Sequence, residues 1–283
     1  AGACATFVAY MLFWPIVYAA ARRLFRLPRD WSAVLSSGIS ICGVSAAIAT
    51  GGAIRARPVI AVMVSMLIVI YAMMELIILP GFYAGVAPDQ PIVNGAAMGM
   101  TVKTDGADAA AGAILDELMR ARASLEGINW EEGWILTASI MTKLWIDMFI
   151  GVWAFVLALI WVYHVERSPG QSTVGLSEVW FRFPKFVLGY VLCWFTYTGI
   201  ALFWPDLIAA AKVGAGTVQS PMRKMMFMLT FVSMGVVTDF SKLRGMGRLA
   251  LLYGLALIVV IAPVAYFVAW TFHHGMTPPL MGE

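Results

Sequence analysis

The chain alternates long apolar stretches with short polar connections. Eight stretches approach or exceed the roughly 20 residues that an α-helix needs to cross a bilayer. These apolar segments are residues 3–21, 31–54, 59–79, 92–118, 134–163, 186–204, 222–240 and 249–272. Their apolar runs are continuous rather than alternating with a period of two, so the pattern predicts helices, which satisfy their own backbone hydrogen bonds in lipid.

The second apolar segment is unusual because it is rich in Gly, Ser, Ala and Thr rather than Leu. Its central run, GISICGVSAAIAT, occupies residues 38–50 and includes Ser40, Cys42, Gly43 and Ser45. One interpretation is a packing face, since small residues let membrane helices approach closely. The other is that the helix unwinds within the membrane, where its freed N–H groups and the two serine hydroxyls bind an anion.

The seventh segment, residues 222–240, repeats this character. It is weakly apolar and carries Gly235, Thr238 and Asp239, five segments after the second. Paired weak segments at corresponding positions are typical of inverted-repeat transporters, whose discontinuous helices meet at the substrate site. If the repeat unit has five helices, the first visible segment is the third helix of its unit, and we expect two further helices before Ala3.

Ionisable residues lie inside the fourth segment. An ionisable side chain within the bilayer costs at least about 2.5–3.5 kcal/mol on insertion scales, so it normally faces protein or water. Lys103, next to the hydroxyls of Thr101 and Thr104, is a candidate for attracting an anion, and Asp105 or Asp108 for binding a coupling cation or proton. The alternative is a Lys–Asp pair near the interface that neutralises itself.

Three further charged residues interrupt apolar segments. Lys143 and Asp147 are spaced i, i+4 in the fifth segment, and we expect them to form a self-neutralising pair. Glu75 lies close to the end of the third segment, before Pro80, and we expect its side chain to reach the membrane surface. The alternative for Glu75 is a role in a proton relay.

Composition supports this picture. Hydrophobic residues make up 61% of the 283 residues and charged residues only 12%, whereas soluble domains are about a quarter charged. The net charge of +3 includes no basic run suited to nucleic acid. The three cysteines form no CxxC pair, and the sequence has no hydrolytic triad, P-loop or dinucleotide fingerprint. We therefore expect neither an enzyme nor a cofactor or structural metal, with Na⁺ or H⁺ as the candidate coupling ion.

The motifs resemble a known family. The run at residues 38–50 is similar to the G-x-S-I-C-G-x-S-A-x-x-A-T signature of the YeiH, or sulfate exporter, family. The resemblance continues through TVKTDG at 101–106 and Lys143, and ends with GVVTDF at 235–240. It implies a multi-pass inner-membrane protein grouped with bile-acid symporters and cation–proton antiporters, whose fold has inverted five-helix repeats and two broken, crossing helices.

These observations predict an all-α membrane protein with one transmembrane domain, in which residues 1–91 complete a first repeat and 92–283, with a loop at 164–183, form the second. The predicted activity is ion-coupled transport of a small anion (sulfate, or an organic sulfonate or carboxylate) by alternating access. The alternatives are a cation–proton antiporter on the same fold and a non-transporting subunit of a larger membrane complex. Expected partners are the lipid bilayer, a small anion, and further copies or subunits, without nucleic acid. The candidate substrate-binding residues are Ser40, Cys42, Gly43, Ser45, Thr101, Lys103, Thr104 and Thr238, and the candidate ion-coupling residues are Asp105, Asp108 and Asp239.

Overall fold

The computed structural model describes residues 2–165, 186–219 and 246–281, together with residues 221, 222, 225, 226, 228, 229, 232 and 236. Over these residues the chain is almost entirely helical. The helices are α1 (Gly2–Arg23), α2 (Arg29–Ser40), α3 (Val44–Ala53), α4 (Pro58–Val86), α5 (Pro91–Thr101), α6 (Asp105–Leu125), α7 (Trp134–Val165), α8 (Phe186–Phe203), α9 (Asp206–Gly214, extended by a π-helical turn, Ala215–Gln219) and α10 (Gly247–His273). The prediction of an all-α membrane protein is confirmed.

Among the described residues, four helices are long and apolar enough to cross a membrane: α1, α4, α7 and α10. They correspond to the first, third, fifth and eighth apolar segments. The third was expected to end at Pro80, but α4 continues through this proline to Val86. Long membrane helices tolerate an internal proline because neighbouring groups can satisfy the carbonyl that it leaves without a donor.

The second apolar segment is broken into α2 and α3, and α3 turns back beside α2. Residues 41–43 separate the two helices, and the Gly51 backbone near the end of α3 lies against Val34 near the start of α2. Gly51 also contacts Ala61 at the start of α4. The segment is therefore a helical hairpin, here called the first hairpin, with its tip at residues 41–43.

The fourth apolar segment, expected as one span, forms a second hairpin. Residues 102–104 separate α5 from α6, and the Asn94 amide near the start of α5 contacts the Met119 sulfur near the end of α6 at 3.4 Å. Asn94 also donates to the carbonyls of Tyr83 and Ala87 at the end of α4. Because α6 returns to the end of α4 where α5 began, the second hairpin also enters and leaves at one end of the bundle.

The two hairpins enter from opposite ends of α4. The first returns to the beginning of α4, beside Ala61, and the second begins and ends near Tyr83 and Ala87. Helices α2, α3 and α5 have 12, 10 and 11 residues, or about 15–18 Å, roughly half the hydrocarbon core. A hairpin followed by a long helix thus occurs twice with opposite direction, as α2–α3–α4 and α5–α6–α7. The eight crossings and the five-helix repeat remain predictions, but the second and fourth segments are not simple crossings.

The entering helices of both hairpins are enclosed by protein. Every residue of α5 is buried, and so is every residue of α2 from Ser32 onward. Gly95 and Gly99 bring α5 against the backbone of α7, and a Cβ atom at Gly95 would lie 2.5 Å from the carbonyl oxygen of Ile135. At these glycines, small residues serve close helix packing.

Candidate functional site

The tips of the two hairpins meet. Gly43 in the first tip has φ +72°, a conformation that favours glycine, and its α-carbon faces the backbone of Lys103 in the second tip. A Cβ atom at Gly43 would lie 2.5 Å from the Lys103 carbonyl oxygen and 2.7 Å from the Ile68 side chain on α4. The glycine in the predicted motif is therefore required both by the backbone conformation and by the contact between tips.

Lys143 on α7 joins the two tips. Its ammonium group donates hydrogen bonds to the Val102 carbonyl at 2.9 Å and to the Ile41 carbonyl at 3.3 Å. These carbonyls occupy corresponding positions, one residue beyond the last residue of α5 and of α2. A cation there satisfies acceptors at two helix C-termini and offsets their partial negative charge. The predicted electrostatic interaction of Lys143 with Asp147 is present, and the ammonium group in addition bonds to both tips, which the helical spacing did not predict.

The first tip places four predicted residues together. Ser40, Cys42 and Gly43 are buried, whereas Ser45, in the first turn of α3, is exposed. The Ser40 hydroxyl has no hydrogen-bond partner within the described part of the chain. Gly43 is the N-cap of α3 and has no side chain to cap its N–H groups. This tip therefore offers a buried hydroxyl and an uncapped helix N-terminus.

The second tip has the same plan with more charge. Thr104 is the N-cap of α6, yet its hydroxyl caps no N–H group and, like Ser40, is buried without a partner among the described residues. Thr101 is engaged, because its hydroxyl bonds to Tyr83 at 2.9 Å and to the Ala97 carbonyl at 2.7 Å. Lys103 is fully buried: its ammonium donates to the Met100 carbonyl and lies 5.0 Å from the centre of the Phe13 ring.

The acidic residues lie on the α7 side of the second tip. Asp105 begins α6 and is exposed, and Asp108 is buried and accepts a hydrogen bond from Ser139 at 2.7 Å. The carboxyl groups of Asp105 and Asp147 interact with each other and with Lys143, and one Asp147 oxygen is buried without a partner in the residues that the structure covers. In that same part of the chain, no group of three or more His, Cys, Asp or Glu side chains is placed to hold a metal ion.

Glu75 does not reach the surface, so that expectation was wrong. It is buried, with 2% of its area exposed, and its two carboxylate oxygens accept hydrogen bonds from the Lys103 backbone N–H at 3.3 Å and from the Tyr253 hydroxyl at 3.2 Å. Glu75 therefore connects α4, the second tip and α10.

Thr238 and Asp239, with the rest of the predicted GVVTDF motif except residue 236, lie outside the described residues. The predicted crossing of the second and seventh segments is therefore untested. Within the described residues, the partner of the first tip is the fourth segment. Sequence reasoning missed the roles of Lys143 and Glu75, and the available signal was the presence of each ionisable side chain inside a long apolar helix.

The polar groups at the two hairpin tips are of kinds that bind ions. In the part of the chain that the structure describes, the two tips joined by Lys143 carry two helix N-termini without side-chain caps and two hydroxyls without partners, and Lys143 interacts with three carboxyl groups. Helix N-termini and hydroxyl groups donate to anions, whereas paired carboxyl groups hold a proton or a small cation. The meeting point of the tips therefore combines donor groups that suit an anion with carboxyl groups that suit a cation.

Comparison with known proteins gives relatives along nearly the whole chain. A UPF0324 membrane protein of Nitrosomonas europaea is 68% identical over 281 residues, which are 99% of this chain and 58% of that protein. Another, of Rhodopirellula baltica, is 35% identical over 74% of this chain and 36% of its own length. An uncharacterized protein of Archaeoglobus fulgidus is 41% identical over 51% of this chain and 88% of its own length. No solved structure matches significantly.

A family model described as Conserved hypothetical protein 698 matches residues 2–254, including both hairpins. The names of the relatives identify membrane proteins, in agreement with the four membrane-length helices, and give no substrate. The likeness to sulfate exporters remains a prediction from the motifs. This chain is a membrane protein that belongs to the Conserved hypothetical protein 698 family.

Proposed function

We propose that this protein is a secondary transporter that carries a small anion, of the sulfate or organic sulfonate or carboxylate class, by alternating access across the bacterial inner membrane. The observation that carries the proposal is the meeting of two oppositely directed hairpins whose tips hold buried hydroxyl groups without a partner among the described residues. Because the chain spans 58% of its Nitrosomonas relative, the proposal applies to the substrate-binding core that it contains.

The anion would bind between the tips. The hydroxyls of Ser40 and Thr104 are buried without partners among the described residues, and a buried polar group left unsatisfied costs about 1–3 kcal/mol. The helices that follow these residues, α3 and α6, begin without side-chain caps on their first N–H groups. An oxyanion that accepts from these hydroxyls and N–H groups would remove this cost, which is why helix N-termini so often bind sulfate, phosphate and carboxylate.

The charge at the site favours coupled rather than uncoupled transport. Lys103 and Lys143 provide positive charge at the tips, whereas Asp105, Asp108 and Asp147, when all three are ionised, provide more negative charge than two lysines neutralise. An anion entering this region is favoured when a proton or Na⁺ is bound at the carboxyl groups, since like charges raise each other's energy at short distance. The Asp105–Asp147 pair is therefore one candidate site for the coupling cation, and Lys103, whose ammonium is already engaged, has a supporting role.

The hairpins suggest how access alternates. A hairpin that enters from each end of α4 forms one wall of the site, so a small displacement of either tip opens the site towards a different end. Inverted repeats produce this exchange because each half can adopt the conformation of the other. The contact between Gly43 and Lys103 would then act as the closed barrier.

Transport of radiolabelled sulfate and of a labelled organic sulfonate into proteoliposomes tests the proposal. We expect Ser40→Ala and Thr104→Val to reduce uptake about tenfold each, which corresponds to the loss of one buried hydrogen bond to a charged ligand. Ser65→Ala is the matched control, because Ser65 also has a buried hydroxyl without a partner among the described residues but lies on α4. Equal uptake by the wild type and the two tip variants would contradict the proposed anion site.

The second candidate is a cation–proton antiporter, which the Asp105–Asp147 interaction beside Lys143 favours. It predicts that Asp105→Asn abolishes Na⁺- or K⁺-dependent proton release from acid-loaded vesicles while added anions change nothing. If neither anion nor cation flux is found and a stoichiometric partner co-purifies, the non-transporting subunit is the correct interpretation.

A further inference from the structure

Glu75 is a buried carboxyl group that the proposed anion site does not use. Only 2% of its area is exposed, and it lies midway along α4, one of the four membrane-length helices. A carboxylate at such a position is costly unless its charge is compensated, so an ionisable residue kept there usually has a functional partner. Its partners identify that function.

Both carboxylate oxygens of Glu75 hold other elements in place. One accepts the backbone N–H of Lys103, at the centre of the second tip, at 3.3 Å. The other accepts the hydroxyl of Tyr253 on α10 at 3.2 Å. Tyr253 in turn stacks on Tyr71, whose hydroxyl donates to the Ala250 carbonyl at 2.7 Å. The carboxylate therefore fixes the second tip to the α4–α10 pair.

A cavity gives access to Glu75. It has a volume of about 520 Å³, lies between α4 and α10, and extends along α4 from Tyr71, past Glu75, to Val86. Its wall is almost wholly apolar, and α10 lines it near a π-helical turn, Ala256–Ile261, a feature frequent at functional sites. Among the described residues the lining contains no other carboxyl group and few polar groups, so it offers a metal cation too few oxygen ligands, whereas a proton needs only Glu75.

We propose that Glu75 is a proton-binding site that controls the second hairpin tip; this inference rests on the proposed function. As a carboxylate, Glu75 accepts a charge-assisted hydrogen bond from the tip and holds it closed. Once Glu75 is protonated, the hydrogen bond that it accepts from the tip is about half as strong, and the tip is released. The charged and titratable groups that face Glu75 from the surrounding helices are Lys103, Lys143, Tyr253, Tyr71 and Tyr83.

Labelling with dicyclohexylcarbodiimide tests the proposal without requiring transport. This apolar reagent enters apolar cavities and reacts with a protonated carboxyl group: the carboxyl oxygen bonds to the central carbon, the proton moves to a nitrogen, and an acyl shift leaves a stable N-acylurea. In purified full-length protein we expect an adduct on the peptide that contains Glu75, with a rate that falls up to about tenfold per pH unit as pH rises.

The control for labelling is Glu126→Gln, because Glu126 is exposed at the end of α6. It should keep the Glu75 adduct, whereas Glu75→Gln should lose it. An adduct whose rate is independent of pH, or no adduct at Glu75, would overturn the proposal even if the protein transports sulfate.

Transport measurements then distinguish coupling to a proton gradient from binding and exchange of the anion. In proteoliposomes we expect Glu75→Gln to keep sulfate exchange at equal pH but to lose accumulation driven by a pH gradient. Tyr253→Phe removes one hydrogen bond and leaves the carboxyl group. This variant should keep both sulfate exchange and gradient-driven accumulation, and should shift the pH of half-maximal labelling. Gradient-driven accumulation by Glu75→Gln would refute the assignment, whereas absence of flux in the wild type would instead refute the proposed transport function.

Discussion

The two hairpins share one backbone plan but differ in chemistry at their tips. The first tip, residues 41–43, has no charged side chain, and its conformation depends on Gly43 at positive φ. The second tip, residues 102–104, contains Lys103 and is followed at once by Asp105. Its backbone is bonded to Lys143 on one side and to Glu75 on the other, whereas Lys143 is the side chain that bonds to the first tip.

This difference indicates that the two tips have different roles. A glycine tip without charge can approach a neighbouring backbone closely and form a tight seal. A tip connected to carboxyl and ammonium groups can respond to the binding or release of an ion, because each such event changes the strength of its hydrogen bonds. We therefore expect the first tip to provide shape and the second to provide coupling, and three comparisons of variants test this assignment.

The largest effect is expected from Gly43→Ala. At φ +72° and ψ −107°, outside the left-handed helical region, an alanine is strained by about 1–3 kcal/mol, and its Cβ would lie 2.5 Å from the Lys103 carbonyl oxygen, a backbone atom that cannot rotate away. We expect the tips to separate and little folded protein to be recovered from detergent by size-exclusion chromatography. Gly52→Ala on α3 is the control, because a Cβ there has no neighbour within 4 Å. Equal recovery of both variants would show that the tips do not need to touch.

The second comparison removes the group that the tips share. Lys143→Met keeps an apolar side chain of similar length but leaves the Ile41 and Val102 carbonyls without their donor. Each buried acceptor left unpaired costs about 1–3 kcal/mol, so we expect a clear fall in the thermal unfolding temperature in detergent. Lys143→Arg should restore part of that stability, since its guanidinium can still donate. If the methionine variant is as stable as the wild type, Lys143 does not hold the hairpins together.

The sequence allowed one of the two breaks to be predicted. Gly43, with Ser40 and Ser45 around it, indicated that the second segment fails to remain helical, because glycine and hydroxyl residues weaken a membrane helix locally. The fourth segment breaks at 102–104 without a glycine in the tip, and its charged residues were predicted to be a site within a continuous helix. The spacing of apolar residues indicates which residues are helical but not whether the chain turns back after a helix ends. Neither hairpin could therefore be predicted from the sequence.

Long-range partners explain the other differences. Glu75 was expected at the surface because it lies close to the end of its apolar segment, yet its two hydrogen-bond donors are 28 and 178 residues away along the chain. Lys143 was paired with Asp147 by helical spacing, but it contacts carbonyls 41 and 102 residues away. Local spacing identifies which ionisable residues need partners in a membrane, and only the packed structure identifies those partners.

The smallest effect is expected from removing one buried serine hydroxyl at each hairpin and comparing the loss of stability. Ser139 on α7 donates to the Asp108 carboxylate of the second hairpin at 2.7 Å, and Ser37 in the first hairpin accepts from the Trp14 indole at 3.0 Å; both serines are fully buried. A hydrogen bond to a charged group contributes about 1.5–3 kcal/mol and one between neutral groups about 0.5–1.5 kcal/mol. Ser139→Ala should therefore lower the free energy of unfolding about twice as much as Ser37→Ala, in parallel thermal unfolding measurements.

Because both substitutions delete one hydroxyl from a packed helix, loss of packing contributes similarly to each, and the difference between them reports the charge. Equal losses would mean that Asp108 carries no charge in the folded protein, and the second hairpin would then be no more responsive to ions than the first.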